Sequence, residues 1–507
     1  MNKNFINDKI FSKNENSDKN FLKLENFKIS FKDFFLYSNK ISNLFKNLSI
    51  KPDQRILAQT EKSVTSLAIF VASLRIGAVF IPLNTSYTAF ELEYFIEDSL
   101  PSLLIIDDQR EQELKNFLEG KEIKSLTLND DETGTLTELI TDISENLILV
   151  ERQKNDLASI LYTSGTTGKS KGAMLSHNNL VSNTTILSKY WAFSQDDILL
   201  HALPIYHIHG LFVACNICLY IGSEIIFLKK FDEEEVIKKL KNSTVMMGVP
   251  TFYTRLLEND KFNSKVTQEM RLFISGSAPL LSQTHNEFEK ITGHKILERY
   301  GMSETNMNAS NPYLGERKPG TVGVPLENVT IKITNVKTGV KLKNGQIGMI
   351  QIKGENVFLG YWRNIEETKK SFSQDGFFIT GDLGKITDDG YLTIVGRDKD
   401  LIISGGLNIY PKEIEILIDN IEGVNESAVI GVPHNDFGEA VIAIIVKNEL
   451  KILSEETIIK YLKLKLANFK RPKKVFFVNH LPRNTMGKVQ KLALRNMYND
   501  LFKKTNK

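Results

Sequence analysis

The chain has 507 residues, of which 41% are hydrophobic, so it is long enough to bury extensive cores and to form more than one domain. Its formal net charge of +3 at pH 7 does not favour nucleic acid or an acidic membrane surface as a partner. The two cysteines, Cys215 and Cys218, exclude a disulfide framework of more than one bond and agree with a reducing compartment.

The first part of the chain alternates short apolar runs with helical patterns. Residues 64–77 predict a buried helix, and the apolar runs at 78–84, 102–107 and 223–228 predict strands. This alternation is typical of parallel sheets flanked by helices, so we expect a large α/β domain.

Two segments bear on the location of the protein. The first 20 residues are rich in asparagine and lysine without an apolar core, so a secretion signal is not expected, and a transit peptide would usually contain arginine. The most apolar stretch, 211–228, is interrupted by Asn216, Ser223 and Glu224, which predicts a buried helix running into a strand rather than a membrane span. We therefore expect a cytoplasmic protein.

Residues 161–172 (LYTSGTTGKSKG) have the composition of a phosphate-binding loop, because glycines allow close backbone approach and hydroxyl groups add donors. The residues expected to contact phosphate are Thr163, Ser164, Gly165, Thr166, Thr167, Gly168 and Lys171. A nucleoside-triphosphatase P-loop would need glycine at 163, where the chain has threonine, so that motif is excluded. A solvated turn remains an alternative.

The spacing of Cys215 and Cys218, preceded by His207 and His209, also fits a zinc or redox site in principle. Both cysteines lie inside an apolar helical run without a glycine turn, so packing in the core is the favoured interpretation.

Near residue 396 the pattern changes. A helix is predicted at 411–420, followed by strands near 425–433 and 440–448 and a lysine-rich helical tail, which together indicate a smaller α+β domain. The predicted boundaries are 1–396 for the large domain and 397–507 for the small domain, with a hinge near 398–400.

Five segments in this order resemble the adenylate-forming superfamily of acyl- and aryl-CoA synthetases. They are the phosphate-binding loop, GSAPL (276–280), ERYGMSET (298–305), TGDLG (380–384) with GRDKD (396–400), and PRNTMGKVQK (482–491). The likeness extends toward the malonyl-CoA synthetases of that superfamily, through LPIYHIHGLFVA (203–214), MGVPTFYTRLLE (247–258), RYGMSETNMN (299–308) and ESAVIGVPHNDFGEA (426–440). The similarity is expected to run from about residue 51 to the C-terminus.

This resemblance implies ATP, Mg²⁺ and coenzyme A as ligands, with a mobile C-terminal domain that meets the large domain at the active site. It assigns Lys488 to the acyl carboxylate and the α-phosphate, and Glu304 to the metal. It assigns Asp382 to the ribose with Arg397 beside it, Lys399 to the hinge, and Gly405 and Gly406 to the pantetheine tunnel. The remaining positions implied for ATP are Gly276, Ser277, Ala278, Glu298, Tyr300, Gly301 and Ser303.

A malonate substrate would bring a second carboxylate, which cannot be buried without a partner. Arg255 and Arg299 are the candidate cations, each with a salt bridge elsewhere as the alternative, and Ser275 is a weaker candidate. His207 is expected to line the acyl pocket near the reacting group. The implied activity is ATP-dependent ligation of malonate to coenzyme A through malonyl-adenylate, with release of AMP and pyrophosphate. A ligase for another short or medium acid, or a non-catalytic nucleotide-binding sensor, remains an alternative; the oligomeric state is not indicated.

Overall fold

A computed structural model describes residues 3–163, 170–404, 407–434, 436–448, 453–484 and 487–502. The elements up to residue 163 are α1 (Phe5–Lys9), β1 (Asn20–Lys23), β2 (Lys28–Ser30), α2 (Phe31–Asn47), β3 (Arg55–Ala58), α3 (Val64–Arg75), β4 (Val79–Pro82), α4 (Ala89–Ser99), β5 (Leu103–Ile106), α5 (Asp108–Leu118), β6 (Lys124–Thr127), α6 (Thr135–Leu139) and β7 (Leu157–Thr163).

The next part of the chain holds most of the residues expected to bind ligands. Its elements are β8 (Lys171–Ser176), α7 (His177–Tyr190), β9 (Ile198–His201), a π-helix (His209–Cys215), α8 (Asn216–Ile221), β10 (Glu224–Phe227), α9 (Glu233–Leu240), β11 (Val245–Gly248), α10 (Pro250–Leu257), β12 (Leu272–Ser275), α11 (Ser282–Thr292), β13 (Leu297–Met302), β14 (Asn306–Ser310), β15 (Val324–Pro325), β16 (Val329–Thr334), β17 (Gly348–Gly354), β18 (Gly360–Tyr361), α12 (Ile365–Lys370), β19 (Phe378–Ile386), β20 (Leu392–Arg397) and a 3₁₀ turn (Asp398–Asp400).

The C-terminal part begins after that turn. Its elements are β21 (Ile402–Ser404), β22 (Leu407–Ile409), α13 (Pro411–Asp419), β23 (Val424–His434), β24 (Gly438–Lys447), α14 (Glu455–Lys463), β25 (Lys474–Val478) and α15 (Lys491–Tyr498).

Two large, parallel-rich sheets form the centre of the N-terminal part. In the described residues one has nine strands in the order β15-β14-β13-β12-β11-β9-β10-β1-β2, and the other has seven in the order β18-β8-β7-β4-β3-β5-β6. Strands β9 to β13 pair in parallel through β11 and β12, so their carboxyl ends, with the loops that follow, meet at one edge of the sheet. The predicted α/β architecture is confirmed.

Residues 3–50 are part of this fold. Strand β1 pairs in parallel with β10, with Leu22 opposite Ile225, and Phe11, Phe21 and Phe31 are fully buried. The aromatic side chains therefore add to the core of the nine-stranded sheet.

Helix α3 confirms the helix predicted at 64–77. Ser63 caps it and forms a capping box with Ser66, and all twelve residues of the helix are buried. A helix that is apolar on every side must be enclosed by other elements, so α3 lies inside the large domain and its first residues are fixed in the interior.

The smaller C-terminal region is built on the long hairpin of β23 and β24, with β25 parallel to β24. Helix α13 confirms the helix expected at 411–420, and Ile414 and Ile418 bury its apolar face in a separate core. The 3₁₀ turn at Asp398–Asp400 occupies the expected hinge position, and the domain boundaries themselves stay a prediction. Across the described ranges, no helix combines the length and apolarity that crossing a membrane requires.

Candidate active site

The glycine-rich segment connects two antiparallel strands. Thr163 at the end of β7 is opposite Lys171 at the start of β8, and its hydroxyl donates to the Lys171 carbonyl at 3.4 Å. A P-loop connects a strand to a helix, so the structure supports the exclusion of that motif. The other predicted loop residues, Ser164, Gly165, Thr166, Thr167 and Gly168, lie outside the described residues.

Lys171 is held at the base of this hairpin by an ion pair with Glu367 from α12. Its ammonium also lies 5.3 Å from the centre of the Tyr361 ring. A phosphate that binds Lys171 would therefore compete with the carboxylate of Glu367. Neither Tyr361 nor Glu367 was identified from the sequence.

Glu304 lies in the turn between β13 and β14. Its side chain is buried, and the Tyr361 hydroxyl donates to its Oε1 atom at 3.1 Å. Burial raises the pKa of Glu304, while Arg397 and Lys488 act in the opposite direction. The carboxylate thus lies in a site where positive charge or a metal ion would favour its ionised form.

Asp382 and Arg397 form a second polar group on neighbouring strands. They are directly opposite each other on β19 and β20, and Arg397 Nε lies 2.6 Å from Asp382 Oδ1. The Tyr300 hydroxyl donates to the other carboxylate oxygen. The charge of Asp382 raises the pKa of Arg397, and burial together with Asp382 raises that of Tyr300. The structure therefore brings three of the predicted nucleotide-site residues into contact.

Glu298 lies on β13 near the loop that follows β12. Its Oε1 atom accepts a hydrogen bond from the Leu280 backbone at 3.3 Å, and its buried Oε2 atom has no partner among the described residues. Burial raises the pKa of Glu298 to about 8, so its carboxyl is mostly protonated near neutral pH and can donate a hydrogen bond.

The glycine-containing turns around β13 allow close packing. Ser277, in the loop with Gly276 and Ala278, has a positive φ of 71°. A β-carbon at Gly301 would collide with the Asn306 carbonyl, and Ser303 lies in the turn before Glu304.

Arg299 is a buried cation with no acidic partner in the described part of the chain. Its side chain packs against Gly276, where a β-carbon would collide with the guanidinium, and Nη2 lies 3.5 Å from the Ser277 hydroxyl. The residue is 3% exposed, and its Nε atom has no hydrogen-bond partner among the residues described. Burial lowers the pKa of Arg299 to about 9, so the group is still charged at neutral pH. The arrangement suits an incoming anion.

Two histidines lie beside these cations. His209 Nδ1 is 3.4 Å from the Ser277 hydroxyl, and burial followed by the charge of Arg299 lowers the pKa of His209 well below its usual range. Burial and then the charge of Lys488 lower the pKa of His207 to about 4. Both imidazoles are therefore neutral at physiological pH and add polar groups without adding charge.

The structure contradicts the assignment of Arg255 to the acyl pocket. Helix α10 buries Tyr253 and Leu256, and this directs Arg255 outward, where its side chain is 60% exposed and its Nε atom lies 3.9 Å from Glu233. The alternative, a surface salt bridge, is correct for this residue. Ser275 is fully buried at the end of β12, and its hydroxyl has no partner among the described residues.

Lys488 belongs to the C-terminal region. The charges of four residues act on the pKa of its ammonium, namely Arg397, Asp382, Glu304 and Arg299. Desolvation by the surrounding protein lowers the pKa of Lys488 to about 8. The residue nevertheless remains exposed to solvent, so water in the open cleft will offset part of this shift. Its ammonium is therefore influenced by the Asp382–Arg397 pair and by Arg299 together.

The hinge candidate and the cysteines complete the comparison with the sequence. Lys399 is exposed in the 3₁₀ turn, while Gly405 and Gly406 lie outside the described residues.

Cys215 and Cys218 are buried in the main core, and burial raises the pKa of Cys215 to about 12. Within the described ranges, no three His, Cys, Asp or Glu side chains are grouped to hold a metal ion.

The chain belongs to the AMP-binding enzyme family, whose model matches residues 11–362, while the model of the AMP-binding enzyme C-terminal domain matches 413–488. It is 36% identical over 455 residues to a malonate–CoA ligase of Arabidopsis thaliana, covering 83% of this chain and 74% of that protein. The structure of ATP-bound MatB from Rhodopseudomonas palustris has 50% sequence identity and a TM-score of 0.97, and covers 99% of this chain and 100% of its own. The expectation that the likeness begins near residue 51 is therefore wrong.

The apo structure of the same MatB protein, with the same identity and coverage, gives a TM-score of 0.86. Because the sequence identity does not differ, the lower score reflects a different conformation. The arrangement seen here, with Lys488 in the cleft, is similar to the ATP-bound form.

Proposed function

We propose that the protein joins malonate to coenzyme A at the expense of ATP, with release of AMP and pyrophosphate. The observation that supports this most is Arg299, a buried guanidinium without an acidic partner among the described residues, in contact with the loop after β12. A buried cation of this kind is costly unless an anion completes it, and the distal carboxylate of malonate would do so. The named activity of the Arabidopsis relative agrees.

In the first half-reaction, one carboxylate oxygen of malonate attacks the α-phosphorus of ATP and pyrophosphate leaves. Lys488 would hold the attacking carboxylate against the α-phosphate, since its ammonium lies among groups from both sides of the site. Lys171 would bind the leaving pyrophosphate after exchanging Glu367 for a phosphate oxygen. Tyr300 and Asp382 would fix the adenosine, with Arg397 orienting the aspartate.

The residues present fit a magnesium ion at the phosphate end of the site. Mg²⁺ typically binds through one or two carboxylates together with phosphate oxygens, and Glu304 supplies a buried carboxylate there. When bound, the ion would neutralise charge that develops on the phosphates. The protein's own part is to keep Glu304 oriented through the Tyr361 hydroxyl.

In the second half-reaction, the thiol of coenzyme A attacks the carbonyl carbon of malonyl-adenylate, and AMP leaves. Lys488 must move away from the carbonyl to admit the thiol, which a rotation about the hinge near Lys399 would accomplish. Arg299 lies in the large domain, so it would keep the distal carboxylate in place during both steps.

The test is a panel of acids given to the purified protein with ATP, Mg²⁺ and coenzyme A. The panel contains malonate, methylmalonate, succinate, butyrate and benzoate, with AMP measured by a coupled assay and the thioester by mass spectrometry. We expect kcat/KM for malonate to exceed that for butyrate by about 100-fold or more, because a site built around a buried cation rejects an acid that leaves it unpaired. Equal use of butyrate would contradict the proposed substrate. ATP binding without AMP formation from any acid would indicate a nucleotide sensor instead.

A further inference from the structure

Lys62 is a buried lysine outside the nucleotide and acid sites. It immediately precedes the cap of α3, is 7% exposed, and has no acidic partner among the residues described. Its ammonium lies 2.6 Å from His201 Nδ1, donates to the His201 carbonyl at 2.9 Å, and faces the Phe227 ring at 4.3 Å from the ring centre. Lys62 Nζ therefore has three neighbours: two atoms of His201 and the Phe227 ring.

The contacts of His201 determine its protonation. Its Nε2 atom lies 2.9 Å from the Gly210 carbonyl, which can only accept, so this contact is a hydrogen bond only while Nε2 carries the proton. Nδ1 is then the acceptor that faces Lys62. Burial, followed by the charge of Lys62, lowers the pKa of His201 well below its usual range, which agrees with a neutral ring. Lys62 therefore selects one of the two tautomers.

The Gly210 carbonyl belongs to the first turn of the π-helix at His209–Cys215. Such helices are rare and are frequently found at functional sites, and His201 contacts the carbonyl in the first turn of this one. Gly210 also packs against the Pro204 carbonyl, where a β-carbon would collide. The start of the π-helix is therefore held on one side by Pro204 and on the other by His201.

The same turn presents His209 to the acid side of the active site. His209 is adjacent to Gly210, and its Nδ1 atom lies 3.4 Å from the Ser277 hydroxyl, which in turn is 3.5 Å from Arg299. A continuous series of polar contacts runs from Lys62 through His201 and the backbone of the π-helix to Arg299. Since Lys62 follows β3 of the seven-stranded sheet and His201 ends β9 of the nine-stranded sheet, the series crosses between the two sheets.

We propose that Lys62 is a positioning residue for the acid pocket: it fixes His201 in the Nε2-protonated tautomer, and His201 holds the π-helix so that His209 meets Ser277 beside Arg299. The proposal rests on the proposed function for its kinetic readout. It does not place Lys62 in contact with malonate, ATP or coenzyme A.

The experiment replaces Lys62 by methionine, which keeps the length of the side chain and removes its donors. We expect Lys62→Met to raise the KM for malonate by about tenfold or more, with the KM for ATP changed by less than about twofold, because the polar contacts that begin at Lys62 end at the Arg299 guanidinium, which the proposed function assigns to malonate. His201→Gln retains one acceptor and one donor and should stay within about threefold of the wild type, whereas His201→Leu should resemble Lys62→Met.

Arg75→Met is the matched control, because Arg75 is a buried cation at the other end of α3 and pairs with Glu15 at 2.5 Å. It should lower the melting temperature without changing either KM. A readout independent of turnover is nitrogen-15 NMR of histidine-labelled protein, in which the neutral His201 resonance, assigned through His201→Gln, should lose its Nε2-protonated signature in Lys62→Met.

The outcomes separate the two proposals. A wild-type protein that does not use malonate would contradict the proposed function, and the NMR result would still decide the role of Lys62. Normal malonate KM in Lys62→Met, an equal rise in both KM values, or an unchanged His201 tautomer would overturn the positioning role. If Lys62→Met does not fold, the contrast between His201→Gln and His201→Leu decides in the same way.

Discussion

Replacing Arg299 by methionine should move the stability and the activity of the protein in opposite directions. The free protein buries this guanidinium at 3% exposure without an acidic partner in the described residues, so the shorter but uncharged methionine should remove the cost of the buried charge and stabilise the fold. Replacing a buried ion pair by apolar residues can gain about 1–4 kcal/mol, and an unpaired charge should give at least the lower part of that range.

Malonate loses its partner in the same variant. Leaving one member of a buried charge pair alone costs about 2–5 kcal/mol, which corresponds to a fall in kcat/KM for malonate of about 30- to 5,000-fold. Butyrate has no distal carboxylate and should be used as well as before or better. The measurements are steady-state kinetics with both acids and thermal unfolding without ligands.

Arg255→Met is the matched control, because Arg255 is 60% exposed and its distance to Glu233 is 3.9 Å. Its stability should change by less than about 0.5 kcal/mol, and its kinetics should match the wild type. The reasoning fails if Arg299→Met is less stable than the wild type and loses malonate and butyrate turnover equally, since both effects would then come from damaged packing.

Three further predictions address the rest of the site. Lys488→Met should slow adenylate formation by about 100-fold or more and slow thioester formation from supplied malonyl-adenylate far less, while Lys399→Pro should do the reverse; equal losses in either variant would refute the division. Because burial raises the pKa of Glu298 from 4.5 to about 8, the stability it contributes is complete below about pH 4.5 and is lost as the pH rises to about 8. Glu298→Gln should therefore raise the melting temperature more at pH 8 than at pH 5, and parallel curves would count against it. Glu367→Gln should release Lys171 and lower the KM for ATP by up to about fivefold, whereas a higher KM would show that the ion pair helps to bind ATP.

The sequence predicted features that depend on neighbouring residues. The resemblance carried by the short motifs at 380–384 and 396–400 implied that Arg397 lies beside Asp382, and the structure places these two residues opposite each other on β19 and β20. Helix α3 was predictable because apolar residues recur throughout Val64–Arg75. In each of these cases, the residues that indicate the feature lie within about 20 positions of one another along the chain.

Features that depend on which face of an element is buried were not predictable in the same way. The packing of α10 against the core leaves Arg255 exposed, whereas Arg299 is buried on β13, inside the nine-stranded sheet. The contact of Lys62 with His201 joins residues 139 positions apart, one after β3 and the other at the end of β9, and no periodicity in the sequence indicates it. Tyr361 is a similar case, since it reaches Glu304 from a two-residue strand.

Strand β13 places Glu298, Arg299 and Tyr300 at successive positions, so neighbouring side chains point to opposite faces of the strand. Under the proposed function Glu298 and Tyr300 would serve the nucleotide and Arg299 the acid, so the preferred acid could change through one codon. A protein of this family in which an apolar residue replaced Arg299 could use acids that lack a second carboxylate, while Glu298 and Tyr300 keep their environment. Under the proposed function, the choice of acid could therefore change by single substitutions without a change in the residues that would bind ATP.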